Sequence, residues 1–112
     1  MTIPDIVSCQ RPDESSVVLA FRLSAGAAAF DGHFPGHPIL PGVLQLDWAL
    51  RLAERYFGLE PAVGRDFQIK FRHAILPEAD VILSLRLDAG RRLDLEYRVG
   101  EVVASTGRVR LG

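Results

Sequence analysis

Residues 30–50 read FDGHFPGHPILPGVLQLDWAL, and the change of character halfway through decides the fold. The first half sets Pro35, Pro38 and Pro41 among Gly32, Gly36 and Gly42. Proline fixes φ and lacks an N–H, so it is tolerated at a helix start and not within one. A helix is therefore predicted to begin near Gly42, just after Pro41. From Val43 to Phe57 neither proline nor glycine occurs. Gly58 suits a C-cap, and Arg55 falls in the last turn, where the helix dipole favours a cation. Val43, Leu46, Leu50, Ala53 and Phe57 recur at steps of three and four, the spacing of one buried stripe. Leu44, Trp48 and Leu52 add apolar surface on other faces, so the helix is expected to be covered over much of its circumference.

Working outward, VVLAFRL (Val17–Leu23) reads as a strand, and residues 1–16 as a loose segment with room for a short strand or turn. Beyond the helix the apolar period changes from 3.6 to 2. Phe67, Ile69 and Phe71 alternate with Gln68, Lys70 and Arg72. Val81, Leu83, Leu85 and Leu87 share one face, as do Leu93, Leu95, Tyr97 and Val99; a last run spans Val102 to Leu111. Alternation of this kind marks a sheet with one buried and one polar face. Asp88–Arg91 and Val99–Glu101 read as tight hairpin connections, and Leu76–Asp80 as a longer turn. The predicted order is strand, helix, then four strands in a meander. One helix covers so many strands only if the sheet curls around it. The expectation is an α+β fold in a single domain over residues 1–112, with a long central helix wrapped by a curved antiparallel sheet. An open sheet leaves an edge strand, so a homodimer with a continuous sheet is expected, with higher assembly left open.

Composition excludes several function classes. A net charge of −1 gives no basic footprint for nucleic acid. No apolar run approaches the ~20 residues of a membrane span. One cysteine, Cys9, precludes an intramolecular disulfide framework and fits a reducing compartment. The first residues carry acids and prolines rather than an apolar leader. A cytoplasmic protein is expected.

The chemistry-bearing residues lie in the quoted stretch. His33 sits on a turn that loses little entropy on ordering, and an imidazole of pKa ~6.5 suits taking and returning a proton. Asp47 lies one turn inside the helix, at the shoulder of the apolar stripe. There desolvation would raise its pKa and the helix end would lower it. The amides of Gly42 and Val43 lack intrahelical acceptors and can stabilise an oxyanion. Together these parts suit proton abstraction beside a carbonyl, coupled to loss of a β-hydroxyl. Plainer readings stand beside this one. His33 can be a structural turn residue, and Asp47 can simply pair with Arg51 one turn on. His33, His37 and Asp47 lack the compact spacing of metal ligands, so no metal site is expected. His37 and His73 read as turn or surface histidines, Cys9 as inert, and Trp48 as packing that can also line a channel.

The run GHFPGHPILPGVLQLD strongly resembles the signature of hotdog-fold 3-hydroxyacyl-(acyl carrier protein) dehydratases of fatty-acid synthesis. The segment KFRHAILPEADVILSLRL is similar to that family's next strand–turn–strand portion. The resemblance spans residues 17–111. It implies that His33 and Asp47 are the catalytic pair and that Gly42 is the backbone oxyanion donor. It also implies a site at a dimer interface, an acyl tunnel beside the helix and no cofactor beyond the phosphopantetheine that carries the substrate. Phe34, Ile39, Leu40 and Trp48 are candidates for lining that tunnel. Carrier proteins are acidic, so Arg51, Arg55, Arg65, Lys70 and Arg72 are candidates for docking one. Asp47 stands where the commoner subgroup has glutamate; aspartate is found in the subgroup that also isomerises the product double bond. The wording PGVLQLDWAL is most like the small dehydratases of aryl-polyene-type biosynthetic clusters. Two alternatives remain: a hotdog acyl thioesterase, whose pattern lacks the H-F-P-G turn, and a non-catalytic acyl-binding partner of a second dehydratase.

Overall fold

Alternating apolar residues from several strands close over one side of a sixteen-residue helix. This computed structural model describes residues 3–24, 39–59, 64–89 and 91–111. In chain order the elements are β1 (Ser8–Gln10), β2 (Ser16–Arg22), α1 (Gly42–Phe57), β3 (Gly64–Phe71), β4 (Asp80–Leu87), β5 (Arg92–Val99) and β6 (Val102–Leu111). The strands form one antiparallel sheet in the order β1-β2-β4-β5-β6-β3. The expected α+β arrangement, a helix lying on an antiparallel sheet, is present. Among the described residues no helix is long and apolar enough to cross a membrane.

Three expectations are corrected. The four strands after the helix are not a simple meander. β4, β5 and β6 follow one another as neighbours, but β3 lies beyond β6 at the sheet edge, and β2 takes the place beside β4. The reason is the β3–β4 connection, which crosses the sheet instead of turning back. Arg72 and His73 donate to the Ala104 carbonyl on β6 at 2.8 and 3.1 Å; further along, the Glu78 amide reaches Leu23, just past β2. Ile75, midway, is fully buried.

The second correction concerns the buried stripe of the helix. The residues that face the core are Gln45, Trp48, Ala49, Leu52 and Ala53, whereas Val43 is 73% exposed. Leu46, Leu50 and Phe57 are half-buried at the core margin. The helix is apolar on two flanks, and periodicity alone does not choose between them. The sheet takes the flank on which Ala49 and Ala53 allow close approach and Trp48 packs edge-on against Phe21, with ring centroids 6.0 Å apart. Fully burying a large apolar side chain contributes about 1.5–3 kcal/mol, so this choice of flank is energetically firm.

The third concerns β3. Phe67 and Phe71 were expected on a buried face, yet they are 59% and 56% exposed. β3 is an edge strand, and Phe71, at its end, lies against Gly42 at the start of the helix. The N-terminal segment does hold a short strand: β1 pairs with β2, and Arg11 lies over the Phe57 ring at 5.5 Å.

Candidate active site

The start of α1 is built by backbone constraints. Leu40 donates to the Ile75 carbonyl at 2.8 Å, which ties the chain to the crossing segment. Pro41, extended at φ −61° and ψ 143°, then turns into the helix without a side-chain cap. Its carbonyl accepts both the Leu44 and Gln45 amides, at 3.1 and 3.2 Å. Gly42 and Val43 come before these donors, so their N–H groups have no intrahelical acceptor. The Phe71 ring lies on Gly42 so closely that a Cβ there would stand 2.5 Å from Phe71 Cζ. Glycine at this position is what admits the ring to the helix start.

Asp47 projects from the far side of the helix. Gln45 and Ala49, two residues to either side of it, are buried against the sheet. At 100° per residue, Asp47 therefore points away from that sheet. Its side chain is 39% exposed and pairs with Arg51, whose Nε lies 3.1 Å from Oδ2 and 3.3 Å from Oδ1. The pairing read from the sequence at i+4 is thus formed. An exposed ion pair of this kind is worth about 0–1 kcal/mol, too little to commit the carboxylate to a structural role.

Behind the helix start lies a buried polar network that the sequence reading did not find. Ser105 Oγ donates to Gln45 Oε1 at 2.7 Å, Gln45 Nε2 donates to the Leu40 carbonyl at 3.3 Å, and Tyr97 Oη donates to the Gln45 carbonyl at 2.6 Å. All three side chains are buried. Burial, and then the negative charge of Asp47, hold the Tyr97 hydroxyl well above the usual tyrosine range. The available signal was Gln45 itself, an amide within an otherwise apolar helical run. Phe71 was likewise missed as a neighbour of the site, because it was assigned to the core.

Of the residues named from sequence, His33, Phe34 and the side chain of Arg65 lie outside the described residues. Gly42, Val43 and Asp47 come together on the first turns of α1. Leu40 is buried and Ile39 half-buried just ahead of them. Trp48 is 2% exposed in the core, and its indole N–H has no acceptor among the described residues. The docking candidates whose side chains are described do not form one patch. Arg51 and Arg55 are exposed on the helix. Lys70 and Arg72 line a hollow of about 640 Å³ on the outer face of the sheet, with Ser84, Glu96 and Thr106. Alternation along β3 is the cause: Phe71 faces the helix, so Lys70 must face away from it.

Comparison with known proteins agrees with this architecture. The profile of a family described as ApeI dehydratase matches residues 9–108. A chain of the dehydratase heterocomplex ApeI:P from Xenorhabdus doucetiae superposes with a TM-score of 0.90 at 25% identity, over 98% of each chain. The 3-hydroxyacyl-[acyl-carrier-protein] dehydratase FabZ of Oenococcus oeni is 36% identical over 66 residues, 53% of this chain and 48% of that protein. The FabZ of Lactobacillus helveticus is 28% identical over 116 residues, 94% of this chain and 78% of that protein. Over its best-matching segments the chain thus spans about half the length of its curated relatives. With a matching profile over most of its length and a dehydratase subunit superposing end to end, this chain belongs to the ApeI-like dehydratase family and has the hotdog fold.

Proposed function

We propose that this chain dehydrates a 3-hydroxyacyl thioester, carried on the phosphopantetheine of an acyl carrier protein, to the trans-2-enoyl thioester and water. The observation that carries this reading is the start of α1. Two amides without an intrahelical acceptor, at Gly42 and Val43, stand one turn from the outward-facing carboxylate of Asp47. In the scheme His33 removes the proton from Cα. The Gly42 amide takes up negative charge at the thioester oxygen. The Cα=Cβ bond forms as the Cβ–O bond breaks; Asp47 assists departure of the hydroxyl, directly or through a water, and the proton taken up by His33 balances the one delivered to the hydroxyl, which leaves as water. No metal or redox cofactor takes part in the scheme. The substrate class is that of the FabZ relatives, and fatty-acid or polyene biosynthesis is the pathway proposed with it.

Because Asp47 faces away from its own sheet, the site needs a second surface. A second copy fits it: among the described residues no strand lies beyond β3, Phe67 and Phe71 are exposed along it, and Val43 is exposed at the helix start. His33 of one chain would then meet Asp47 of the other. A second dehydratase subunit is the alternative partner, as in the Xenorhabdus heterocomplex. The acidic carrier protein docks through Arg51 and Arg55, which share the helix with Asp47.

The test is intact-mass analysis of a 3-hydroxyacyl carrier protein incubated with the purified chain. Loss of one water is expected with the wild type. His33→Ala and Asp47→Ala are expected to lower the rate about 10²–10⁴-fold. Release of free thiol without dehydration would instead indicate a thioesterase. No reaction across several acyl lengths would indicate a non-catalytic partner.

A further inference from the structure

A glutamine buried in the first turns of a core helix calls for a reason. A leucine of similar volume would fit an apolar site without any polar group to satisfy. Gln45 is 4% exposed, and it is gripped from three directions. Ser105 Oγ donates to its Oε1 at 2.7 Å, its own Nε2 donates to the Leu40 carbonyl at 3.3 Å, and Tyr97 Oη donates to its backbone carbonyl at 2.6 Å. Tyr97 and Ser105 are directly opposite each other on β5 and β6. One rigid strand pair therefore holds both the side chain and the main chain of this residue.

The consequence falls on the helix start. In an uninterrupted α-helix the Leu40 carbonyl would accept the Leu44 amide. Here the Gln45 side chain occupies that carbonyl, and Leu44 turns to Pro41 at 3.1 Å instead. Pro41, extended at ψ 143°, already bars the helix from winding backward; Gln45 ties the carbonyl just ahead of it to the first turns and so holds the segment that carries the Gly42 and Val43 amides. We propose that Gln45, held by Ser105, is a positioning residue that sets the direction of the Gly42 and Val43 amides towards substrate. Its effect on rate rests on the dehydratase reading; its effect on the backbone does not.

Two measurements on Gln45→Met, Ser105→Ala and the double variant test it. In carrier-protein dehydration, kcat is expected to fall about 10- to 100-fold while KM stays within about twofold, the mark of misplaced transition-state groups. The double variant is expected to lose no more than Gln45→Met alone, since the two side chains act as a unit. In amide hydrogen exchange, Leu40, Leu44 and Gln45 are expected to exchange faster while β4 and β5 keep their protection. A folded Gln45→Met protein with full kcat and unchanged exchange at Leu40 overturns the proposal. So does loss of protection spread evenly over the sheet, which would make Gln45 a general stability residue. Should Gln45→Met not fold, Ser105→Ala alone carries both readouts. A wild type that dehydrates nothing, combined with local loosening in the variants, would sink the dehydratase reading and leave the positioning role standing.

Discussion

Tyr97 shows how a single hydroxyl ties chemistry to stability. It is fully buried, donates to a helix carbonyl and lies within the field of Asp47. Both burial and that charge disfavour the phenolate, so the folded protein keeps the proton at pH values where the unfolded chain releases it. Above about pH 10 the native state then binds more protons than the unfolded state, and stability must fall as pH rises, by up to about 1.4 kcal/mol per pH unit. Tyr97→Phe is expected to cost about 0.5–1.5 kcal/mol near neutrality, the loss of one buried hydrogen bond, because the Gln45 carbonyl keeps its intrahelical donor. It should also flatten the alkaline fall. Urea unfolding of both proteins at pH 7 and pH 11 checks the two effects together. Asp47 behaves differently at this scale: its partner Arg51 is half exposed, so removing the carboxylate should be felt in turnover and hardly in stability.

At the scale of elements, the ends of α1 are fixed by unlike means. The N-terminus has no side-chain cap and depends on Leu40, Pro41 and Gln45. The C-terminus ends at Gly58 in the left-handed region, at φ 65°, with its N–H on the Glu54 carbonyl. Open space surrounds the position where a Cβ would stand, so only backbone strain opposes a side chain there. Gly58→Ala is therefore expected to lower stability by about 1 kcal/mol without loss of activity. A denaturant midpoint that does not move would contradict this account of the cap. The N-terminus answers to a different constraint, since Gly42 makes room for Phe71 rather than for a turn.

Across the whole molecule, the large exposed aromatic side chains among the described residues lie on one edge strand. β3 pairs with β6 on one side and with no described strand on the other, and Phe67 and Phe71 are more than half exposed along it. An edge strand with exposed aromatics is a ready template for another strand. The proposed pairing of two copies predicts a dimer by sedimentation at micromolar concentration. Phe67→Lys combined with Ile69→Lys should shift it towards monomer, because inward-pointing charge blunts a pairing edge. A wild type that sediments as a monomer would remove the two-copy site from consideration.

What the sequence determined by itself was where most elements begin and end, and which stretch carries the candidate site residues. Proline and glycine placement delimited α1 from Gly42 to Gly58, and the period-two runs marked the later strands, because both signals are local and steric. The stretch that carries Asp47 and the Gly42 amide was legible for the same reason, as was the i+4 partner Arg51. Only the tertiary structure decided which flank of an almost wholly apolar helix meets the sheet, and with it that Asp47 faces outward. It alone placed β3 beyond β6, because the crossing connection is fixed by bonds to Ala104 and Leu23, residues distant in sequence. The Gln45–Ser105–Tyr97 network was hidden for that reason too: its members are 52 and 60 residues from Gln45, and strand register is what brings them to it. Local rules fix where elements begin and end, whereas the pairing of distant surfaces depends on packing that no local window contains.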